Sequence, residues 1–129
     1  MLDLDLLPEE YAVCRLPAGA SIPAELLSGP TDSGLISVTW TAHEVSVICP
    51  ADRVPDGAVV ETPWRCLRVV GPLDLALTGI LASLVVPLAE ARVNIVAFST
   101  YDTDYLLVPA VRVDEAVATL TQTGHRVTG

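Results

Sequence analysis

The fold is decided by the stretch from Gly71 to Val108, GPLDLALTGILASLVVPLAEARVNIVAFSTYDTDYLLV. From Leu75 to Ala89 it carries no charge, and Leu77, Ile80, Leu81, Leu84, Val85 and Leu88 recur at helical spacing. At about 100° per residue these side chains cover one arc, with Gly79, Ser83 and Glu90 opposite, so the spacing predicts an amphipathic helix laid on a flat surface. Val93 to Phe98 and Tyr105 to Val108 supply that surface, because two apolar, β-branched and aromatic runs joined by a short polar connection read as a hairpin. A membrane span is excluded: it needs about 18 or more apolar residues in a row, and this run is shorter and contains Pro87. Pro87 has no N–H and frees the carbonyl of Ser83, which predicts a bend in the last turn.

Outside this stretch, composition narrows the class of protein. A chain of 129 residues is in the single-domain range and can bury a real core. Hydrophobic residues make up 51% against 18% charged, which argues against disorder and for more apolar surface than a small monomer easily hides, hence for self-association. The net charge is −9, and all seven basic residues are unclustered arginines, so no face resembles one that tracks phosphates and nucleic acid is not an expected partner. Cys14, Cys49 and Cys66 are odd in number, lack CxxC spacing and lie in apolar runs, the pattern of buried reduced thiols in a cytoplasmic chain. The acidic start Met1-Leu2-Asp3-Leu4-Asp5 does not read as a signal peptide.

Taken in order, Tyr11 to Leu16 reads as a short strand, and Pro23 opens a brief helix over Ala24 to Leu27 that Ser28-Gly29-Pro30 stops. Gly34 to Thr41 and Val45 to Cys49 form a hairpin, with Ala42, His43 and Glu44 at its turn. Val59 to Glu61 and Trp64 to Val70 are strand-like, and Pro63 predicts an edge or a break between them. A last helix carries Val113, Val117 and Leu120 on one face, with Asp114 and Glu115 at its positive end and Gly124 as its stop.

The sequence also repeats itself. Residues 35–54 (LISVTWTAHEVSVICPADRV) align without a gap on residues 94–113 (NIVAFSTYDTDYLLVPAVRV). Ile36, Thr41, Pro50, Ala51, Arg53 and Val54 are identical to Ile95, Thr100, Pro109, Ala110, Arg112 and Val113. Identities at matching points of two predicted hairpins suggest two strand, helix, hairpin units of one kind. After Val54 no helical periodicity follows, so the first unit lacks its second helix and a strand is expected there.

The order strand, helix, strand, strand, helix, strand is the ferredoxin-like plan, an antiparallel sheet with helices on one face. Several phrases in the sequence carry a more specific resemblance. They are Leu7-Pro8-Glu9-Glu10-Tyr11, Thr41 with Glu44-Val45-Ser46, Trp64-Arg65-Cys66-Leu67, Gly71-Pro72-Leu73-Asp74, Leu77-Thr78-Gly79-Ile80-Leu81, Pro87-Leu88-Ala89-Glu90-Ala91 and Ser99-Thr100-Tyr101-Asp102-Thr103-Asp104-Tyr105. In order and spacing they resemble the ACT-domain family, in particular the tandem-ACT proteins akin to aspartate kinase regulatory regions and CASTOR-type arginine sensors. The resemblance implies an α+β fold of two ferredoxin-like βαββαβ ACT units in tandem, residues 1–62 and 63–129, the first without its second helix. It further implies a regulatory protein, without catalysis of its own, that binds an amino acid or related small effector where ACT units meet. The chain lacks the kinase domain of aspartate kinase, so the regulated target is not named by the resemblance.

Candidate binding residues follow. Thr78 and Gly79 open the main helix, where Thr can cap and Gly lets a ligand approach backbone N–H groups; with Ile80 they suit a carboxylate. Asp102 and Asp104 lie in the second hairpin connection and can hold an ammonium group, Asp104 being the better placed at the start of a strand. Across the repeat, Thr41, Glu44 and Ser46 occupy the comparable edge of the first hairpin, although Glu44 reads equally well as surface decoration. His43 and His125 belong to no metal-spaced cluster, and no nucleophile motif accompanies them, so neither a metal, a cofactor nor an enzyme is expected. A second reading stays open, that of an oligomerisation or protein-interaction module whose ligand pocket is vestigial.

Overall fold

The computed structural model describes residues 1–30, 34–74 and 77–129. Its elements in chain order are β1 (Asp3–Pro17), α1 (Ala24–Leu27), β2 (Ser37–Trp40), β3 (Glu44–Pro50), β4 (Val59–Val69), α2 (Ile80–Glu90), β5 (Val96–Ser99), β6 (Asp104–Pro109), α3 (Val113–Gln122) and β7 (Arg126–Thr128). The fold is α+β with a largely antiparallel sheet and few helices, of the ferredoxin-like type. Two compact units are present, an N-terminal unit of Glu9–Trp64 and a C-terminal unit in which Met1–Pro8 joins Arg65–Gly129.

In the N-terminal unit the strand order is β2-β3-β1-β4. Antiparallel register sets Cys14 opposite Val47 and Ala12 opposite Cys49, and Ser37 to Trp40 opposite Ile48 to Val45. Alternation along β1 turns Ala12, Cys14 and Leu16 inward, where they pack with Ile22, Leu26, Val45, Val47 and Cys49. Of the edge or break expected at Pro63, the break does not occur, since β4 runs unbroken through it, while β4 is the outer strand of this unit's order; the hydroxyl of Thr62 donates to the carbonyl of Tyr11 (3.1 Å).

In the C-terminal unit the order is β7-β1-β4-β6-β5, with β1 represented by its first residues. β7 pairs parallel with β1, Asp3 to Asp5 against Arg126 to Thr128. The hydrophobic runs bury Leu4, Leu67, Val69, Leu106 and Val108 from the strands, and Leu84, Leu88, Ala116 and Leu120 from the helices. On α3 the buried pair is therefore Ala116 and Leu120, whereas Val117 is only half-buried.

The main helix is shorter than the span Leu75 to Ala89. It starts at Ile80, because Gly79 at φ +78° takes a left-handed conformation and the Leu77 amide closes a turn on the Asp74 carbonyl (3.0 Å). Leu77 and Thr78 precede the helix and are exposed; Leu75 and Ala76 lie outside the described residues. Leu84 and Leu88 form the buried stripe, while Leu81 is 36% exposed.

α2 continues past Pro87, and the Ser83 carbonyl that the proline leaves without an intrahelical partner is taken up by His125, whose Nε2 lies 3.1 Å away. The backbone N–H of Leu2 donates to His125 Nδ1 (3.1 Å), which places the ring proton on Nε2 and makes it the donor to Ser83. His125 is itself held by the end of α3. Its amide bonds the Leu120 carbonyl and that of Gly124 (φ +99°) bonds Thr121, the Schellman pattern. α2 ends the same way, Val93 on Leu88 and Arg92 on Ala89, with Arg92 at φ +60° where α3 has glycine.

The repeat is visible in each unit. Thr41 and Thr100 close their hairpin turns alike, the amide of Thr41 on the Glu44 carbonyl (3.0 Å) and that of Thr100 on Thr103 (2.9 Å). Pro50 and Pro109 each lead into a three-residue 3-10 turn, Ala51–Arg53 and Ala110–Arg112. The matched arginines then bond backbone carbonyls in or just past a helix: Arg53 reaches Glu25 within α1 and Gly29 after it, and Arg112 reaches Ala91 and Arg92 after α2. The units diverge at the next residue. Val113 is helical and begins α3, whereas Val54, held before Pro55, is extended at φ −63°, ψ 131°.

Candidate ligand pocket

The segment Gly71 to Asp74 and the β5–β6 turn face one another in the C-terminal unit. The Leu73 amide donates to the Asp102 carbonyl (2.7 Å), and the hydroxyl of Thr103, 6% exposed, donates to the Val69 carbonyl (2.6 Å). Gly71 permits the approach: a Cβ there would sit 2.9 Å from the Asp102 carbonyl oxygen and 3.4 Å from Thr103 Cβ. Two hydrogen bonds and one contact that admits no side chain thus pin the walls together.

Between these walls and the start of α2 lies a cavity of about 210 Å³. Leu73, Asp74, Leu77 and Ile80 line one side, and the turn from Ser99 to Asp104 lines the other. Ser99 and Asp104 face each other in the hairpin register, and the Ser99 hydroxyl donates to the Asp104 carboxylate, which orients it. Asp104 is half-buried, while Asp102 and Tyr101 are exposed at the rim. Behind them Phe98 and Tyr105 stack with ring centroids 5.2 Å apart. Burial pushes the Tyr105 phenol up, with Cys66 and Asp102 acting in the same direction and Arg68 against them, so it stays protonated at neutral pH.

α2 contributes its N-terminus. Gly79 caps it without any side-chain hydrogen bond, contrary to the expected threonine cap, and the first amide to close a helical turn is that of Ser83 on Gly79 (3.0 Å). The amides of the opening turn therefore have no intrahelical acceptor, and Ile80 brings that end of the helix to the cavity.

Of the residues singled out in the sequence, Ile80, Asp102 and Asp104 come together here. Thr78 and Gly79 adjoin Ile80 and are exposed, but do not line the cavity. Thr41, Glu44 and Ser46 belong to the β2–β3 hairpin of the N-terminal unit. The Thr41 hydroxyl is engaged within its own turn, accepting from the His43 and Glu44 amides and donating to the Glu44 carbonyl, and Ser46 is paired in β3 with Arg15 and Thr39. Leu73, Asp74, Ser99 and Thr103 were not singled out as site residues. The signal that could have found them is that the phrases Gly71 to Asp74 and Ser99 to Tyr105 stand out together in the sequence.

A model of the ACT domain matches residues 59–122, and a second family model, described as an N-terminal domain, matches residues 9–57. The chain belongs to the ACT-domain family. Among solved structures, protein Atu0741 from Agobacterium tumefaciens is 32% identical with a TM-score of 0.86, over 98% of this chain and 92% of that one. Protein VC0802 from Vibrio cholerae is 15% identical (TM-score 0.72; 95% and 89% covered). The regulatory subunit of aspartate kinase from Thermus flavus is 13% identical (TM-score 0.64; 93% and 95% covered). The likeness to these last two is one of fold. No curated protein matches the sequence. Among the described residues no helix is long and apolar enough to cross a membrane.

Proposed function

We propose that the chain is a regulatory protein of two ACT units in tandem, residues 1–62 and 63–129, which binds an amino acid and has no catalysis of its own. The observation that carries this reading is the cavity at the start of α2, where a helix N-terminus and the oriented carboxylate of Asp104 stand on opposite sides of a space suited to a small molecule. A zwitterion satisfies both. Its carboxylate meets the amides at Ile80, with Thr78 and Gly79 alongside, and its ammonium group meets Asp104, with Asp102 the secondary partner. Thr41, Glu44 and Ser46 are retained as candidates only for an equivalent site in the first unit. The matched threonine turns and arginine clamps support the tandem reading.

A thermal-shift screen with the common amino acids is the first test, since a ligand that binds only the folded state raises its apparent stability. Calorimetric titration of Asp104→Asn with the amino acid found then gives the decision. Loss of a charged hydrogen bond, on the order of 1.5 to 3 kcal/mol, weakens binding about tenfold to a hundredfold. Unchanged affinity removes Asp104 from the site.

A second reading, an oligomerisation or protein-interaction module, is favoured by the apolar side chains exposed on and just before α2: Leu77 (54%), Leu81 (36%) and Val86 (54%). We place the protein in the cytoplasm, in keeping with its three free buried thiols, and expect a homodimer or higher homo-oligomer with a regulated protein as a further partner. Sedimentation at micromolar concentration showing only a 13.6 kDa species would count against the oligomer.

A further inference from the structure

We infer that the N-terminal unit has a separate ligand site, in which Arg53 holds the carboxylate of a small aliphatic acid. The inference goes beyond the amino-acid reading and does not depend on it, because all of its residues lie in Glu9–Trp64. It starts from the repeat. In the C-terminal unit every nitrogen of the Arg112 guanidinium is engaged: Nη1 and Nη2 donate to the carbonyls of Arg92 and Ala91, and Nε donates to the Glu115 carboxylate at 2.8 Å. Arg53 makes the matching carbonyl bonds, to Gly29 and Glu25, but its Nε has no acceptor among the described residues. Asp56 follows Arg53 at the spacing at which Glu115 follows Arg112. Glu115 stands in the first turn of α3, which carries it back to Arg112. Val54 is extended before Pro55, no helix follows, and among the described residues Asp56 forms no ion pair with Arg53.

What adjoins Arg53 in place of a carboxylate is a cavity of about 290 Å³. Leu26 (4% exposed), Val54 and the buried Pro55 give it an apolar side, and Arg53 lines it with them. A guanidinium tied to two carbonyls is fixed in orientation and always charged, so its remaining N–H is an ordered donor for an anion. The carboxylate of a ligand takes the part that Glu115 plays in the other unit, while a short branched aliphatic body covers Leu26, Val54 and Pro55. Glu25 and Asp56 also line the cavity, but both are exposed, where water and salt screen their repulsion. That residual repulsion favours a singly charged carboxylate over a phosphate.

The test follows the side-chain Nε–H signals of Arg53 and Arg112 by proton–nitrogen correlation NMR, with the full chain titrated by isovalerate, isoamyl alcohol and inorganic phosphate. Isovalerate should move the Arg53 signal saturably and leave that of Arg112, which Glu115 already holds, in place. Isoamyl alcohol has the same aliphatic body without the charge and should bind about tenfold more weakly or not at all. Arg53→Lys keeps the charge but loses the fork, and should weaken isovalerate about tenfold in calorimetry once its thermal unfolding has been checked. Should that variant fail to fold, the signals of the unmodified chain decide alone. No shift at Arg53 with isovalerate, or equal shifts at both arginines, overturns the inference, as does isoamyl alcohol binding equally well. Phosphate acting at lower concentration than isovalerate overturns the aliphatic acid as ligand. An Arg53 signal that moves in Asp56→Asn with nothing added shows that Asp56 already fills the place of Glu115, and also overturns it. None of these results touches the pocket at α2, whose amino-acid reading stands or falls with Asp104→Asn.

Discussion

Replacing His125 by phenylalanine keeps the volume of the ring but removes both of its hydrogen bonds. His125 is 7% exposed, accepts the Leu2 N–H at 3.1 Å and donates to the Ser83 carbonyl at 3.1 Å. A buried polar group left unpaired costs about 1 to 3 kcal/mol, so the two together destabilise by roughly 2 to 6 kcal/mol, a large share of the stability of a small domain. The Ser83 carbonyl is free only because Pro87 has no amide. In Pro87→Ala the restored N–H reaches Ser83 by the ordinary i to i−4 bond, and His125→Phe then loses only the Leu2 bond. The double-mutant cycle should therefore show a coupling of about 1 to 3 kcal/mol, with the doubly substituted protein more stable than the two single effects sum to. Urea titration followed by far-ultraviolet circular dichroism measures all four corners. Additivity to within about 0.5 kcal/mol would show that His125 does not stand in for the missing helical bond.

Other expectations follow from the same geometry. Arg92→Gly should stabilise the protein by about 0.5 to 1 kcal/mol, because Arg92 holds φ +60° at the position where α3 uses Gly124; an unchanged or lower urea midpoint refutes this. The Cys49 thiol is pushed up to about 12, chiefly by burial and then by Cys14 beside it, while an unfolded thiol titrates near 8.5. Above about pH 8.5 the unfolded chain therefore binds fewer protons than the folded one, and stability falls as pH rises, by up to about 1.4 kcal/mol per unit until the folded thiol itself ionises. Cys49→Ala should lessen that slope in alkaline urea titrations, and an equal slope would show that the thiol does not cause it. Gly71→Ala puts a methyl group where only 2.9 Å separates it from the Asp102 oxygen and should cost about 1 to 3 kcal/mol. In that variant the Leu73 amide should exchange with deuterium faster while the amides of β4 stay protected; unaltered exchange would show that the walls yield without parting.

Much of this architecture was legible in the chain because it depends on short-range pattern. The apolar period of α2, the two hairpins, the stop at Gly124 and the repeat around Thr41 and Thr100 each follow from residues a few positions apart, and the ACT resemblance rests on phrases of that kind. The absence of a second helix in the first half is equally local, since Val54 stands before Pro55 whereas its counterpart Val113 stands before Asp114. Buried thiols could also be read from the apolar runs around them.

What only the tertiary structure decided are pairings between distant parts of the chain. No local signal joins Met1–Pro8 to the C-terminal unit or sets Asp3 to Asp5 beside Arg126 to Thr128, because a three-residue strand has no period of its own and exists only by virtue of its partner. The same holds for His125, whose two bonds reach residues 123 and 42 positions away. In the pocket, Asp102 and Asp104 could be anticipated from their hairpin, but Leu73 and Asp74 acquire their place only through the Leu73–Asp102 bond and the closeness that Gly71 permits. Sequence periodicity fixes which face of an element is apolar. Which distant backbone atoms that face brings within hydrogen-bond range is settled by packing, and both the site and the repair of the proline gap depend on it.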